Sequence, residues 1–68
     1  MTKTVCIATC ENEHGDPMRI FPGDIYFVDL FDHILSKVTG MSLVAVYNTN
    51  KNLIGYTNLM HFQQVRHR

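Results

Sequence analysis

The stretch from Ile20 to Leu30 constrains the fold of this chain more than any other part of it. Its Pro22-Gly23-Asp24 segment has the composition of a tight turn, and the β-branched and aromatic residues that follow predict a strand over residues 24–30. Apolar side chains occupy both faces of this predicted strand, so little of it can face water. We therefore expect it to be the central strand, on which the rest of the chain packs.

Length and composition favour one small folded domain. A chain of 68 residues buries about 60% of the surface that its unfolded form exposes, so its stability must come from apolar packing. The 46% share of hydrophobic residues is typical of globular proteins and far from the disordered range. We expect a single domain over residues 1–68, in which residues 66–68 form a polar tail.

Further segments on both sides of the central strand have strand character. Thr2–Cys10 is rich in β-branched side chains and predicts the first strand, which the polar loop Glu11–Pro17 separates from the central one. Met41–Asn48 and Leu53–Thr57 flank a turn rich in asparagine, so they predict a β-hairpin. The end of the chain predicts one helical turn followed by a short strand at 62–65.

Residues 30–39 show a different pattern, because their apolar side chains recur at helical spacing. Asp29 is suited to cap the start of a helix, and Gly40 is suited to end it. We therefore predict a short helical insertion here, the alternative being an irregular loop. The apolar positions are Leu30, Phe31, Ile34, Leu35 and Val38.

Together these elements predict a mainly all-β protein, a small five-stranded antiparallel barrel with a short helical insertion around residues 30–39. Closure into a barrel would pair the edges of the sheet, which a chain of this length cannot otherwise cover. The order of predicted elements is a strand, a long polar loop, a buried strand, a hairpin, a short turn and a final strand.

Three pieces of the sequence resemble the Src-homology-3 (SH3) barrel. The hydrophobic residues and the Gly-Asp pair of Ile20–Ile25 resemble the start of that family's second strand. Val44-Ala45 resembles the Leu-Ala of its third strand, and Gly55-Tyr56 resembles the Gly-Tyr that precedes its last strand. The resemblance covers most of residues 4–65 and implies an SH3-like barrel fold.

The aromatic groove with which that family binds proline-rich helices is not matched by this sequence. The chain has no Trp, and small groups around Ala8, Thr9 and Cys10 replace the expected pair of tyrosines. Asn58 stands in place of the groove proline, and His61 stands in place of the groove tyrosine. The resemblance therefore implies a fold, without the binding of proline-rich peptides.

Residues with catalytic or metal-binding chemistry do not form a recognisable site. Cys6, Cys10 and His14 are spaced four apart, but an extended strand at about 3.3 Å per residue would place the two cysteine α-carbons roughly 13 Å apart. That distance is too large for a disulfide or for two ligands of one zinc ion. No phosphate-binding glycine motif is present. We expect no metal, no cofactor and no enzymatic activity.

The sequence has no feature typical of membrane insertion or secretion. No apolar run approaches the roughly 18 residues that a membrane-spanning helix needs, and we expect no signal peptide. Because the predicted strand also keeps the two cysteines apart, a reducing cytoplasm is the expected location.

Charge is distributed unevenly, although the formal net charge is zero. All six acidic residues lie between Glu11 and Asp32, where Arg19 is the only Lys or Arg. Such a division can steer a charged partner. The neutral balance disfavours nucleic-acid binding, which stays an alternative because small barrels often bind nucleic acid through basic faces with aromatic rings. The side chains that would support it are Tyr26, Tyr47, Tyr56, Lys51, Arg66 and Arg68.

The predicted insertion holds more apolar side chains than a barrel of this size needs. They either complete the core, or form a docking patch or a dimer seam. Our hypothesis is a non-enzymatic protein-binding module that acts through a protein partner, by analogy with small regulators and inhibitors encoded by phages and mobile elements. A nucleic-acid-binding barrel and a homo-oligomeric structural subunit are the alternatives. The predicted contact residues are Glu11, Glu13 and Asp16 in the acidic loop and Phe31, Asp32, Ile34, Leu35 and Val38 in the insertion.

Overall fold

In the computed structural model, which describes residues 1–65, five strands form one antiparallel sheet. The strands are β1 (Thr2–Cys6), β2 (Ile25–Leu35), β3 (Ser42–Tyr47), β4 (Leu53–Thr57) and β5 (Phe62–Gln64), and a 3-10 turn at Leu59–His61 precedes β5. Their order in the sheet is β4-β3-β2-β1-β5, so β2 is the central strand as predicted. The mainly all-β fold class and the hairpin of β3 and β4 are also confirmed.

The central strand β2 pairs with β1 and β3 and is interrupted by a bulge. Its first half pairs with β1, from Val5 opposite Ile25 to Thr2 opposite Val28. Pairing with β3 runs as far as Asp29 and resumes at His33, so residues 30–32 have no partner in β3. We call residues 30–32 the bulge. Extra residues of this kind bend a strand and turn side chains in new directions.

The helix predicted around residues 30–39 is wrong. Residues 31–35 belong to β2, and residues 36–41 form the turn between β2 and β3. The helical spacing arose because the bulge breaks the two-residue alternation of the strand. A short helix is costly to nucleate and only marginally stable by itself, whereas the strand is stabilised by pairing with β3. Gly40, predicted to end the helix, instead donates its N–H to the Ser36 carbonyl at 2.8 Å within the turn. Within residues 1–65, no helix has the length and apolarity needed to cross a membrane.

The first strand ends at Cys6 rather than at Cys10, because its last residue is bound to the turn that starts β2. The Cys6 N–H donates to the Asp24 carbonyl at 3.0 Å, and the Cys6 carbonyl accepts from the Gly23 N–H at 2.8 Å. Gly23 has φ +94°, a conformation that costs glycine little and other residues more. The Pro22-Gly23-Asp24 turn is therefore held against β1, and the chain leaves the sheet after Cys6.

The core packs around one face of the sheet and includes two residues of the loop between β1 and β2. The rings of Tyr26 and Phe62 meet edge to face, with centroids 6.2 Å apart and an interplanar angle of 82°. The Tyr26 hydroxyl accepts a hydrogen bond from the Phe21 N–H at 3.0 Å, which satisfies the polar end of a buried ring. The buried core side chains are Cys6, Cys10, Ile20, Tyr26, Val28, Val44, Val46 and Phe62.

The expected closure of the barrel is not observed, because β4 and β5 lie at opposite edges of the sheet and do not pair within the described residues. The loop between β1 and β2, residues 7–24, covers part of the β4 edge instead. A methyl group added at Gly55 would lie 2.8 Å from Cε of Met18, and the Thr57 hydroxyl donates to the Glu11 carbonyl at 2.8 Å. Loop packing thus takes the place of strand pairing at this edge.

Replacing Ile20 with Val should lower the free energy of unfolding by about 0.5–1.5 kcal/mol, because the change removes a methylene from a side chain that is 1% exposed. The matched control is Ile7→Val, at a position that is 55% exposed, where a change below about 0.5 kcal/mol is expected. Urea unfolding followed by circular dichroism measures both. Equal losses in the two variants would contradict the packing of Ile20 in the core.

Candidate partner-binding surface

Three of the predicted contact residues line one crevice, which lies between the loop 7–24 and the end of β2. We call it the crevice; it is lined by Glu13, His14, Leu35, Lys37 and Val38. The acidic loop and the predicted insertion were expected as two separate contact surfaces, and the fold joins them here. Glu13 is therefore a neighbour of Leu35 and Val38, although more than twenty positions separate it from them in sequence.

Ser36 holds the two walls of the crevice together. It is only 1% exposed, its hydroxyl donates to the Glu13 carbonyl at 2.8 Å, and the same oxygen accepts from the Thr39 N–H at 3.2 Å. A buried hydroxyl that serves two backbone groups fixes both the loop and the turn. Sequence reasoning missed Ser36, because one serine in a polar turn has no distinctive pattern around it.

The crevice combines apolar surface with mixed charge. Leu35 is 70% exposed and Val38 is 66% exposed. The carboxylate of Glu13 and Nε2 of His14 lie 3.6 Å apart beside them. An apolar floor with a polar rim is the arrangement that protein-binding surfaces commonly have.

The other predicted contact residues lie elsewhere. Phe31 and Asp32 are in the bulge, where Phe31 is 96% exposed and Asp32 accepts a hydrogen bond from Tyr56. Ile34 is half-buried opposite Leu43 on β3, so it belongs partly to the packing of the sheet.

Glu11 and Asp16 do not line the crevice. Glu11 forms an isolated bridge with Pro17, and Asp16 lies in a tight turn in which its N–H donates to Asn12 Oδ1 at 3.0 Å. Both side chains are exposed. Of the three acidic residues predicted as contacts, only Glu13 therefore belongs to the joined surface.

A second cavity is lined in part by Asn58 and His61. Among the described residues, its lining includes no Phe, Tyr or Trp side chain. Nδ1 of His61 is buried and has no hydrogen-bond partner within residues 1–65. The remaining lining residues are Glu11, Asn12, Thr39, Met41, Leu43 and Thr57.

The prediction that Cys6 and Cys10 lie far apart is wrong. Their Sγ atoms are 4.0 Å apart in the core, and both thiols are free. The prediction assumed an extended strand, but the chain bends after Cys6 so that both thiols approach the Ala8 carbonyl, Cys6 at 2.9 Å and Cys10 at 3.5 Å. Among residues 1–65, no three His, Cys, Asp or Glu side chains are arranged to hold a metal ion.

The aromatic residues considered for nucleic-acid binding do not share one surface. Tyr26 is 6% exposed and belongs to the core. Tyr47 and Tyr56 are half-buried, and Asp32 is hydrogen-bonded to Tyr56. Arg66 and Arg68 lie outside the described residues.

Comparisons of the chain with protein-family models, curated proteins and solved structures found no significant match. The function proposed below therefore rests on the chemistry of the surfaces.

Replacing Ser36 with Ala should lower the free energy of unfolding by about 1–3 kcal/mol, because the Glu13 carbonyl and the Thr39 N–H lose their shared partner. Amide hydrogen exchange at Gly40 should also become faster, since its bond to the Ser36 carbonyl closes the same turn. Ser42→Ala, at an exposed position, is the control and should change neither quantity. An unaltered exchange rate in the Ser36 variant would contradict the role of its hydroxyl.

Stability should fall at alkaline pH through Cys10. Burial first, and then the charge and hydrogen bond of Cys6, raise the pKa of the Cys10 thiol from 9.0 to about 12. The stability due to the neutral thiol is fully present below pH 9.0 and is lost as the pH rises toward about 12, because only the unfolded chain ionises in that range. The urea midpoint of the wild-type protein should therefore fall more steeply between pH 8.5 and 10.5 than that of Cys10→Ala, and parallel curves would refute this.

Proposed function

We propose that the protein is a non-enzymatic protein-binding module and that the crevice is a contact surface for its protein partner. The supporting observation is the exposure of large apolar side chains along one segment, with Phe31 at 96%, Leu35 at 70% and Val38 at 66%. The alternative, that these side chains complete the core, does not fit these exposed fractions.

A partner that covers the apolar side chains of the crevice gains a favourable free energy of binding. Covering a side chain such as Leu35 or Val38 contributes up to about 1.5–3 kcal/mol, and the surrounding charges of Glu13 and Lys37 add orientation. Since Ser36 already fixes the loop and the turn, little conformational entropy is lost on binding. A contact surface held in this way on a sheet is typical of loops that carry function.

The fold that we propose for the module is SH3-like, with its sheet left open instead of closed into a barrel. The strand order β4-β3-β2-β1-β5, the long β2 shared between two neighbours and the 3-10 turn before β5 support this assignment. The cavity beside Asn58 and His61 lacks the aromatic rings that grip proline-rich helices. For this reason the proposal places the partner in the crevice and not in the groove of that family.

A homo-oligomer is the second candidate, and the edge strand β4 favours it. The loop 7–24 packs on this strand at Gly55 and Thr57. Leu53–Thr57 nevertheless contains no charged residue and no proline, and its outer backbone groups make no backbone hydrogen bond to other parts of residues 1–65. Natural proteins usually protect such edges with charge or proline, because unprotected edges pair with other strands. A second copy of the chain is therefore a control in the experiment that follows.

The tagged protein, co-expressed with an untagged copy, should capture one stoichiometric protein from a lysate of its source cells after nuclease treatment and a high-salt wash. The double variant Leu35→Ser, Val38→Ser should reduce this capture about tenfold or more, because it removes apolar contact area. Ile7→Ser with Met60→Ser is the matched control, since these side chains are 55% and 80% exposed and lie outside the crevice. Circular dichroism would establish that both variants are folded.

Three outcomes would contradict the proposal. Capture that disappears with nuclease or modest salt would indicate a nucleic-acid-binding protein. Recovery of the untagged copy alone would indicate a homo-oligomer. Equal capture by the crevice variant and the control variant would show that the partner binds elsewhere.

A further inference from the structure

The face of the sheet opposite the core carries partly exposed aromatic rings. Phe27 pairs with Tyr47, and Ala45 pairs with Asp29 on one side and with Tyr56 on the other. These pairings place the five side chains on one side of β2, β3 and β4. We call this side the outer face. Phe27, Asp29, Tyr47 and Tyr56 are half-buried there, whereas Ala45 between them is fully buried.

Two carboxylates and two phenols meet on the outer face. The Tyr56 hydroxyl donates to Oδ2 of Asp32 at 2.9 Å, which brings a residue of the bulge over β3 to β4. This hydrogen bond, followed by burial and by the charges of Asp32, Tyr47 and Asp29, raises the pKa of Tyr56. Tyr56 and Asp32 are therefore in direct contact, and Asp29 and Tyr47 lie on the same face as Tyr56.

The negative charge of Asp29 and Asp32 is not neutralised within the described part of the chain. No Lys or Arg among residues 1–65 forms a salt bridge with either carboxylate. The nearby Lys51 lies over the ring of Phe27, with Nζ 5.9 Å from the centroid. An aromatic ring of this face thus already accommodates a cation, while the carboxylates keep their charge free for a partner.

Phe31, in the bulge beside Asp32, is an exposed apolar side chain whose backbone is held in place. It is 96% exposed, and its N–H donates to Oδ1 of Asp29 at 3.0 Å, which defines the backbone of the bulge. Because the backbone is already ordered, binding to Phe31 costs conformational entropy mainly through its exposed side chain. An exposed aromatic side chain next to carboxylates that form no salt bridge within residues 1–65 favours a ligand that is both apolar and cationic.

We propose that the outer face binds an arginine-containing peptide segment of the protein partner. The guanidinium pairs with Asp32 and stacks against Tyr47 or Tyr56, and an apolar side chain next to the arginine packs on Phe31. Arginine suits this face better than lysine, because its planar group hydrogen-bonds to a carboxylate and stacks on an aromatic ring at the same time. The assignment rests on the proposed protein-binding function and names the chemistry of the partner; an anionic ligand such as nucleic acid would be repelled by Asp29 and Asp32.

Two defined peptides test the assignment on the ¹⁵N-labelled protein by NMR titration. The probe is acetyl-Gly-Leu-Arg-Leu-Gly-amide, and its control carries citrulline, an uncharged analogue of similar shape, in place of arginine. The arginine peptide should shift the amide signals of residues 29–32, 45, 47 and 56, and the citrulline peptide should bind about fivefold more weakly or less.

Matched protein variants identify the carboxylate that is used. Asp32→Asn keeps an oxygen that can accept from Tyr56 but removes the charge, so it should weaken binding of the arginine peptide about fivefold. Asp16→Asn removes an exposed charge in the loop 7–24 and should leave the affinity unchanged.

Four results would overturn the assignment: no shifts on the outer face, equal affinity for both peptides, no effect of Asp32→Asn, or shifts on the outer face that follow protein concentration without peptide. The last would mean that a second copy covers this face. These failures are separate from failure of the proposed function. If capture from the lysate depends on Leu35 and Val38 while the arginine peptide leaves the outer face unchanged, the module binds a protein through the crevice and the arginine assignment alone is wrong.

Discussion

Strand β2 is shared between two sets of neighbours, and the rest of the structure depends on this double pairing. Its first half meets β1, which continues to β5, while β3 and β4 follow on the other side. A chain of 68 residues cannot build two separate sheets with separate cores, so one long strand has to serve both sides. The turn of Gly23 against Cys6 sets where that strand begins, and the core ring of Tyr26 follows directly from it.

The position of the candidate binding surfaces follows from the same strand. At its far end β2 passes into the turn that Ser36 binds to the loop 7–24, and this contact creates the crevice. In its middle the bulge releases Phe31 and Asp32 from pairing with β3, and Asp32 contacts Tyr56 on the outer face. Both surfaces therefore result from the way in which β2 pairs with β1 and β3. Neither surface requires a separate domain or a long insertion.

Local sequence patterns predicted the parts of the fold in which neighbouring residues decide the outcome. The alternation in β3 and β4 and the asparagine-rich turn between them identified the hairpin, and the apolar run after Asp24 identified the central strand. Tertiary contacts decided the rest. The bulge placed the apolar residues of β2 at a spacing that resembles that of a helix. The bend after Cys6 brought together two thiols that a straight strand would keep apart. The crevice could not be foreseen as one site, because a single buried hydroxyl joins its two walls.

The bulge begins and ends in paired strand, with Asp29 opposite Ala45 and His33 opposite Val44. The number of residues in the bulge sets the register shift, but their side chains lie outside the buried core, and we expect them to tolerate substitution better than the flanking positions. Selection can change the side chains presented there without first compensating a loss of stability. In such a short chain, substitutions in the bulge therefore allow binding specificity to evolve without a change in the fold.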